Sequence, residues 1–225
     1  MSDYCSDLTK DHDRVIFNDV DEIIVLDPDI DTPLVDYLEA VDTTTRVITP
    51  LGLEIIHMKA RENDYDYSRG MFAQRKFVRV NGWYSKPCIT NIPIIWGPDG
   101  HGSSYGEIYV DPNLYLFHLK WFDDKFHKDR HKERLKQRWI NKKGQEIIVG
   151  AGSWTWSERT YQIVTNGFMR MPIDLHEQGF EFTDYRKRLK ESFTPRPNPV
   201  RDMYLIHGFR GNDLRIIPEK FIGTI

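Results

Sequence analysis

The sequence of 225 residues is 40% hydrophobic and 13% aromatic, which is enough to form one sizeable core. No apolar run approaches the roughly 18 residues that cross a bilayer, and the two cysteines, Cys5 and Cys88, lack a metal or redox spacing. These features exclude a membrane-spanning or disulfide-rich protein and predict one soluble, cytoplasmic domain over residues 1–225.

The net charge of −3 conceals an acidic end and a basic segment. Residues 1–66 carry 5 Lys/Arg against 17 Asp/Glu, whereas residues 120–143 carry 10 Lys/Arg against 4 Asp/Glu. The acidic end suits a divalent cation, and the basic segment suits an anionic ligand or a membrane surface. The alternative for the basic segment is a solvated helix face with i,i+4 ion pairs. Because the whole chain is acidic and has no nucleic-acid-binding motif, we expect no nucleic acid partner.

Hydrophobic periodicity predicts an α/β fold, a mixed sheet with flanking helices. In chain order we expect strands over 14–18 and 23–26, and then a helix that begins at Thr32 and Pro33. Two strands over 46–49 and 53–58 should be separated at Pro50 and Gly52. Shorter strands follow over 77–80, 88–90, 93–96 and 114–119. The rest of the chain is predicted as helices over 122–139, 157–164 and 183–192, with a late strand over 203–207.

The tetrad Asp19-Val20-Asp21-Glu22 is the most informative motif, because it presents three carboxylates where a short apolar run ends. Carboxylates so close together repel one another unless a cation or a proton is held among them. Oxygen ligands of this kind suit Mg²⁺ or Mn²⁺, which keep open positions for substrate phosphates. The alternative is an Asp-rich turn without a ligand.

The segment from Arg14 to Pro28 resembles the metal-binding segment of family 2-like glycosyltransferases with a GT-A fold, in which a strand delivers D-x-D-E and an Asp-Pro follows. Three later stretches, over residues 84–87, 96–101 and 114–120, are similar to the same group. They occur in the right order and span roughly residues 14 to 130. The resemblance implies the C-terminal part of a GT-A domain and a sugar transfer from a nucleotide-sugar donor to a glycan, lipid-linked or small-molecule acceptor.

The resemblance also implies roles for single residues. Asp19 and Asp21 would position a Mn²⁺ or Mg²⁺ ion, with Glu22 as a ligand or hydrogen-bonded to one. His118 resembles a histidine that several such enzymes add to the metal, although a core histidine is the alternative. The residues expected at the donor are Lys86, His101 and Lys120. The candidate catalytic bases for an inverting reaction are Asp99 and Asp123.

The resemblance departs from the family at the N-terminus, because only 18 residues precede Asp19. The units that cradle the nucleotide normally come first in that family. Either the chain is a piece of a longer protein, or it starts late through gene truncation, or a partner chain supplies that half. An incomplete sheet should also expose an apolar edge.

Two rival functions remain open at this point. A metal-dependent phosphohydrolase would use the same Asp cluster, and His127 with His131 has a spacing that can bind zinc. A non-catalytic remnant would keep the transferase shape as a binding or assembly module. Within the transferase interpretation, the basic helix over 122–143 is predicted to hold an anionic acceptor or a membrane surface.

Overall fold

The computed structural model describes residues 2–97, 100–136, 139, 140, 143–147, 156–175, 180–196 and 202–225. The helices in this part are α1 (Ser2–Leu8), α2 (Leu34–Ala40), α3 (Asp124–Lys136), α4 (Glu158–Met169) and α5 (Thr183–Ser192). The strands are β1 (Val15–Ile16), β2 (Glu22–Leu26), β3 (Val47–Ile56), β4 (Phe77–Val80), β5 (Ile89–Thr90), β6 (Gly102–Ser103), β7 (Tyr109–Trp121), β8 (Trp139–Ile140), β9 (Glu146–Ile147), β10 (Ile173–Asp174), β11 (Phe193–Arg196), β12 (Met203–Ile206) and β13 (Leu214–Ile216).

The larger sheet is mixed and is organised around β3. The parallel strand β7 flanks β3 on one side, and β2 pairs with β7 in the antiparallel sense. On the other side, the start of β3 pairs with β5, which continues to β1, and its end pairs with β4, which continues to β13 and β10. A second sheet has the order β11-β12-β6. These observations confirm the predicted α/β class with a mixed sheet and flanking helices.

Both faces of the central sheet are covered, so β3 is buried along all ten of its residues. Alternation along β7 sends Tyr115 and Phe117 into an aromatic core with Phe72 and Phe221, all four nearly inaccessible to solvent. Residues of the opposite parity, such as Leu116, pack with α2 and β2 in a second core. The sheet therefore separates two apolar layers.

The prediction of a break at Pro50 and Gly52 is wrong, because β3 runs through both residues. The register against β7 shifts between Thr49 and Leu51, and this irregularity accommodates a proline without a ladder donor. Gly52 donates its N–H to Ser85 Oγ at 2.7 Å. The strand predicted over 93–96 is also absent, since Trp96 makes only an isolated bridge to Ser103.

The four predicted helices lie close to their predicted positions, whereas α1 was not predicted. The helix α5 has the predicted bounds, and α3 begins two residues later than predicted. Ser157 caps α4 by accepting the N–H of Thr160. None of the described helices combines the length and the apolar character that a membrane span requires.

Candidate functional site

A row of polar side chains crosses the middle of the larger sheet. Glu22 in β2 lies opposite His118 in β7, and His118 lies opposite Glu54 in β3. Glu54 in turn lies opposite Arg79 in β4. Residues in direct register point to the same face of a sheet, so these four side chains form one continuous line. Glu22, His118 and Glu54 are all buried.

The row is fixed by contacts on both sides of Glu54. Arg79 donates from Nε to Glu54 Oε2 at 2.9 Å. The ring of Tyr84 stacks on the imidazole of His118, with centroids 3.7 Å apart and planes 11° from parallel. Burial raises the pKa of Tyr84, and the charge of Glu54 raises it further. His118 therefore packs against an uncharged aromatic ring.

Lys86 neutralises part of the acidic turn. Its Nζ lies 2.5 Å from Asp19 Oδ2 and 2.8 Å from Glu22 Oε1. The side chain of Lys86 is only 3% exposed and that of Glu22 is 0% exposed. Burial acts to lower the pKa of Lys86, but the two carboxylates outweigh it and raise that pKa above the ordinary value. The ammonium that the resemblance placed at the donor is thus bound between two of the predicted metal ligands.

His118 is a neutral imidazole at physiological pH. Burial lowers its pKa to about 3, and the positive charges of Lys120 and Lys86 contribute in the same direction. Its Nδ1 accepts the backbone N–H of Lys120 at 3.2 Å, so the neutral ring carries its proton on Nε2. That Nε2 lies 3.9 Å from Asp21 Oδ2. In this tautomer His118 presents a donor toward Asp21 and not a lone pair toward a metal ion.

Asp21 faces a group of cations. Its side chain is 29% exposed. Burial lowers the pKa of Arg134, and the negative charge of Asp21 opposes that shift at Arg134 and at Lys120. Burial lowers the pKa of Lys120, and the neighbouring Arg134 and Arg210 lower it further. Two basic groups, Lys120 of β7 and Arg134 of α3, therefore interact with this carboxylate, and Arg210 interacts with Lys120. Cations grouped in this way favour an incoming anion.

The residues present fit a Mn²⁺ or Mg²⁺ ion only in part. Within the described residues, no group of three or more His, Cys, Asp or Glu side chains is arranged to hold a metal. The predicted set of Asp19, Asp21, Glu22 and His118 is thus not assembled as four ligands, because Lys86 holds two of them and His118 turns its N–H outward. Magnesium sites with phosphate ligands, however, need only one or two protein carboxylates. Asp21, with Asp19 beside it, meets that smaller requirement.

The other predicted site residues lie in different surroundings. Asp123 precedes α3 and caps it by accepting the N–H of Phe126 at 2.6 Å, while its second oxygen lies 3.4 Å from Arg75 Nη2. His101 packs edge to face against Trp83, with ring centroids 5.8 Å apart. Asp99 lies outside the described residues. The structure therefore gives Asp123 a structural partner and a capping role, and its catalytic role stays a prediction.

The basic helix α3 pairs much of its charge internally. Lys128, Lys132 and Lys136 form ion pairs with Asp124, Asp129 and Glu133 along the helix. This is the pattern of a solvated helix face. The predicted contact of residues 122–143 with a membrane or an anionic acceptor stays a prediction.

The two histidines of α3 face the core. His127 and His131 stack with Tyr161, and His131 Nε2 lies 2.7 Å from the carbonyl oxygen of Trp156. Burial lowers the pKa of His127 to about 3. These contacts explain both histidines as members of an aromatic cluster.

Sequence reasoning missed several members of the site. Glu54 interrupts the apolar run Leu53-Glu54-Ile55, and a charged residue inside a buried strand was the signal that could have found it. Arg134 and Arg210 are distant in sequence and carry no local signal. Arg134 interacts with Asp21, and Arg210 with Lys120, only because β7, α3 and the β13 region meet.

Comparison with known proteins gives no relative. No protein-family model matches the chain, and no curated protein or solved structure gives a significant match.

Proposed function

We propose that this chain is a glycosyltransferase-like protein that takes part in the metal-dependent transfer of a sugar from a nucleotide-sugar donor to a glycan, lipid-linked or small-molecule acceptor. The observation that carries the proposal is the position of Asp21, a partly exposed carboxylate beside His118 that interacts with the cations Lys120 and Arg134. The mixed sheet and the four ordered stretches that resemble the family support the C-terminal part of a GT-A domain.

Each side chain has a distinct task in this proposal. Asp21, with Asp19, would hold the cation, which neutralises the diphosphate as it leaves. Lys120, Arg134 and Arg210 would attract and orient the phosphates, since cations around a partly buried site stabilise developing negative charge. His118 would direct its Nε2–H at Asp21 and fix that carboxylate. Lys86 would keep Asp19 and Glu22 from repelling each other.

The acceptor must lose a proton, and Asp99 and Asp123 remain the candidate bases. Asp123 lies 3.4 Å from Arg75 Nη2 through one carboxylate oxygen.

The first test is calorimetric titration of the chain with Mn²⁺ and with UDP, GDP or ADP, separately and together. We expect at least one diphosphate to bind more tightly when Mn²⁺ is present. Asp21→Asn should weaken this binding about tenfold or more, the range found when a metal site loses a supporting carboxylate. The matched control is Asp36→Asn, since Asp36 is an exposed acid on α2.

The rival functions predict different outcomes. Absence of any Mn²⁺-dependent diphosphate binding would refute the proposal and leave the binding or assembly module. Equal binding by wild type and Asp21→Asn would also refute it. Release of inorganic phosphate from a phosphate ester, without sugar transfer, would favour the metal-dependent phosphohydrolase.

A further inference from the structure

A cleft lies between α3 and the segment over 64–67. Its volume is about 590 Å³, within the range that small-molecule sites occupy. Neither the family resemblance nor the polar row accounts for this cleft.

Three aromatic rings form its apolar surface. The rings of Tyr65 and Tyr67 stand nearly perpendicular, at 84°, with centroids 5.0 Å apart. Tyr65 is held from behind by an edge contact with Phe122 and by the guanidinium of Arg75 over its ring. Tyr67 is 72% exposed and Phe126 is 39% exposed. The rings of Tyr67 and Phe126 are thus partly exposed to solvent, and packing holds the neighbouring ring of Tyr65 in place.

The ionisable groups of the cleft balance one another. Apart from Asp123, which is paired with Arg75, the cleft is lined by three acidic and three basic side chains. These are Asp64, Asp129, Glu133, Lys125, Arg130 and Arg134. A balanced set neither concentrates an anion nor concentrates a cation. It does offer both donors and acceptors of hydrogen bonds beside apolar rings.

A pyranose ring matches this combination. One of its faces consists of C–H groups that pack on an aromatic ring, and its rim consists of hydroxyls that both donate and accept. A nucleotide would bring a net negative charge that this balanced set does not attract, and a purely apolar ligand would leave the charged groups desolvated without partners. The chemistry of the cleft therefore fits a neutral oligosaccharide.

Arg134 connects this cleft with the candidate site. It lines the cleft, and its charge interacts with Asp21 and lowers the pKa of Lys120. We propose that the cleft of Tyr65, Tyr67 and Phe126 binds a neutral oligosaccharide. Its use as the acceptor rests on the proposed function, whereas the binding itself does not.

The test is saturation-transfer NMR of the whole chain with maltotriose, chitotriose and mannotriose, and with trigalacturonate as an anionic comparison. We expect millimolar binding of at least one neutral trisaccharide. Tyr67→Ala and Phe126→Ala should each weaken it about tenfold, because each removes an aromatic ring on which the C–H face of the sugar packs. The matched control is Tyr4→Ala, because Tyr4 is 65% exposed on α1. The substituted side chains are exposed, so these variants should keep the wild-type circular dichroism spectrum.

The outcomes separate this inference from the proposed function. Asp21→Asn should keep trisaccharide binding, and Tyr67→Ala should keep Mn²⁺-dependent diphosphate binding. The inference is overturned if no neutral trisaccharide binds, if trigalacturonate alone binds, or if Tyr67→Ala binds as tightly as wild type. Sugar binding without diphosphate binding would leave the inference standing and refute the proposed function.

Discussion

The buried ammonium of Lys86 sets the charge of the acidic turn. It contacts Asp19 and Glu22 at once, and both Lys86 and Glu22 are removed from solvent. A buried ion pair contributes little relative to an apolar replacement of both partners, but the loss of one partner leaves an uncompensated charge. Removing Lys86 alone should therefore be severe.

We predict that Lys86→Met lowers the free energy of unfolding by about 3–5 kcal/mol, the usual cost of breaking a buried pair. The control is Lys10→Met, which removes an ion pair with Asp7 whose side chains are both 70% exposed. Urea denaturation followed by tryptophan fluorescence would measure both. If the two variants have the same midpoint, Lys86 does not compensate the buried Glu22.

The residues of the site differ in how far the sequence could reveal them. Three carboxylates in four residues marked the acidic turn, and the structure brings His118 to its edge by direct pairing of β2 with β7. The partners of Lys86 could not be predicted, because 67 residues separate it from Asp19. Long-range ion pairs follow from strand order, which a single sequence does not specify.

At the scale of elements, Gly52 shows why β3 continues where a break was predicted. A Cβ built at this residue would lie 2.4 Å from the carbonyl carbon of Tyr84 and 2.5 Å from the nitrogen of Ser85. The strand and the turn after β4 thus approach more closely than any side chain permits. Gly52 therefore permits this close backbone contact, and it does not end the strand.

We predict that Gly52→Ala destabilises the fold by about 3 kcal/mol or more, since the obstructing atoms belong to backbone and cannot rotate away. Gly167 provides the matched control, because it lies within α4 and a Cβ there meets nothing within 4 Å. Gly167→Ala should stabilise by about 0.5–1 kcal/mol through helix propensity. Thermal denaturation of both variants checks the sign, and a tolerated Gly52→Ala would contradict the packing argument.

Prediction from sequence succeeded where one local pattern determined the element. The helix over 183–192 has its predicted bounds, and β4 has the bounds expected from its apolar run. It failed over 93–96, where apolar residues fill a core beside Cys5 and Val47 without joining a ladder. Short strands such as β10 and β13 pair across long distances, so no local pattern predicts them.

At the scale of the whole molecule, buried histidines make stability depend on pH. Burial lowers the pKa of His118 and of His127 to about 3, and it also lowers the pKa of His57. The unfolded chain protonates these residues below the ordinary value of 6.5, whereas the native state does not. The contribution of these histidines to the free energy of unfolding is therefore fully present above that pH. It is lost progressively as the pH decreases toward 3.

We predict that His127→Phe reduces the slope of the unfolding free energy against pH, by an amount that approaches about 1.4 kcal/mol per pH unit at the acidic end of the range. Phenylalanine retains the stack with Tyr161 and cannot take up the proton. Burial raises the pKa of Glu62, which acts in the opposite direction, so the difference between variant and wild type is the informative quantity. Urea denaturation between about pH 7 and about pH 5 would measure it. His12→Phe changes an exposed histidine and should leave the slope unaltered; equal slopes for all three proteins would contradict the prediction.

The parallel pairing of β3 with β7 has a consequence for how the chain folds as it is made. Gly52 pairs with Leu116, and Ile56 pairs with Trp121. The chain between β3 and β7 must therefore close into a loop, at a cost in conformational entropy, before these contacts can form. A ribosome that adds about 5–20 residues per second needs roughly 3 to 13 seconds to proceed from the end of β3 to the end of β7. All ten residues of β3 are buried in the folded protein. During that interval, β4 and β5 are the only neighbouring strands of β3 that have been completed. The nascent chain therefore depends on these two short antiparallel pairings to keep its most apolar strand from aggregating.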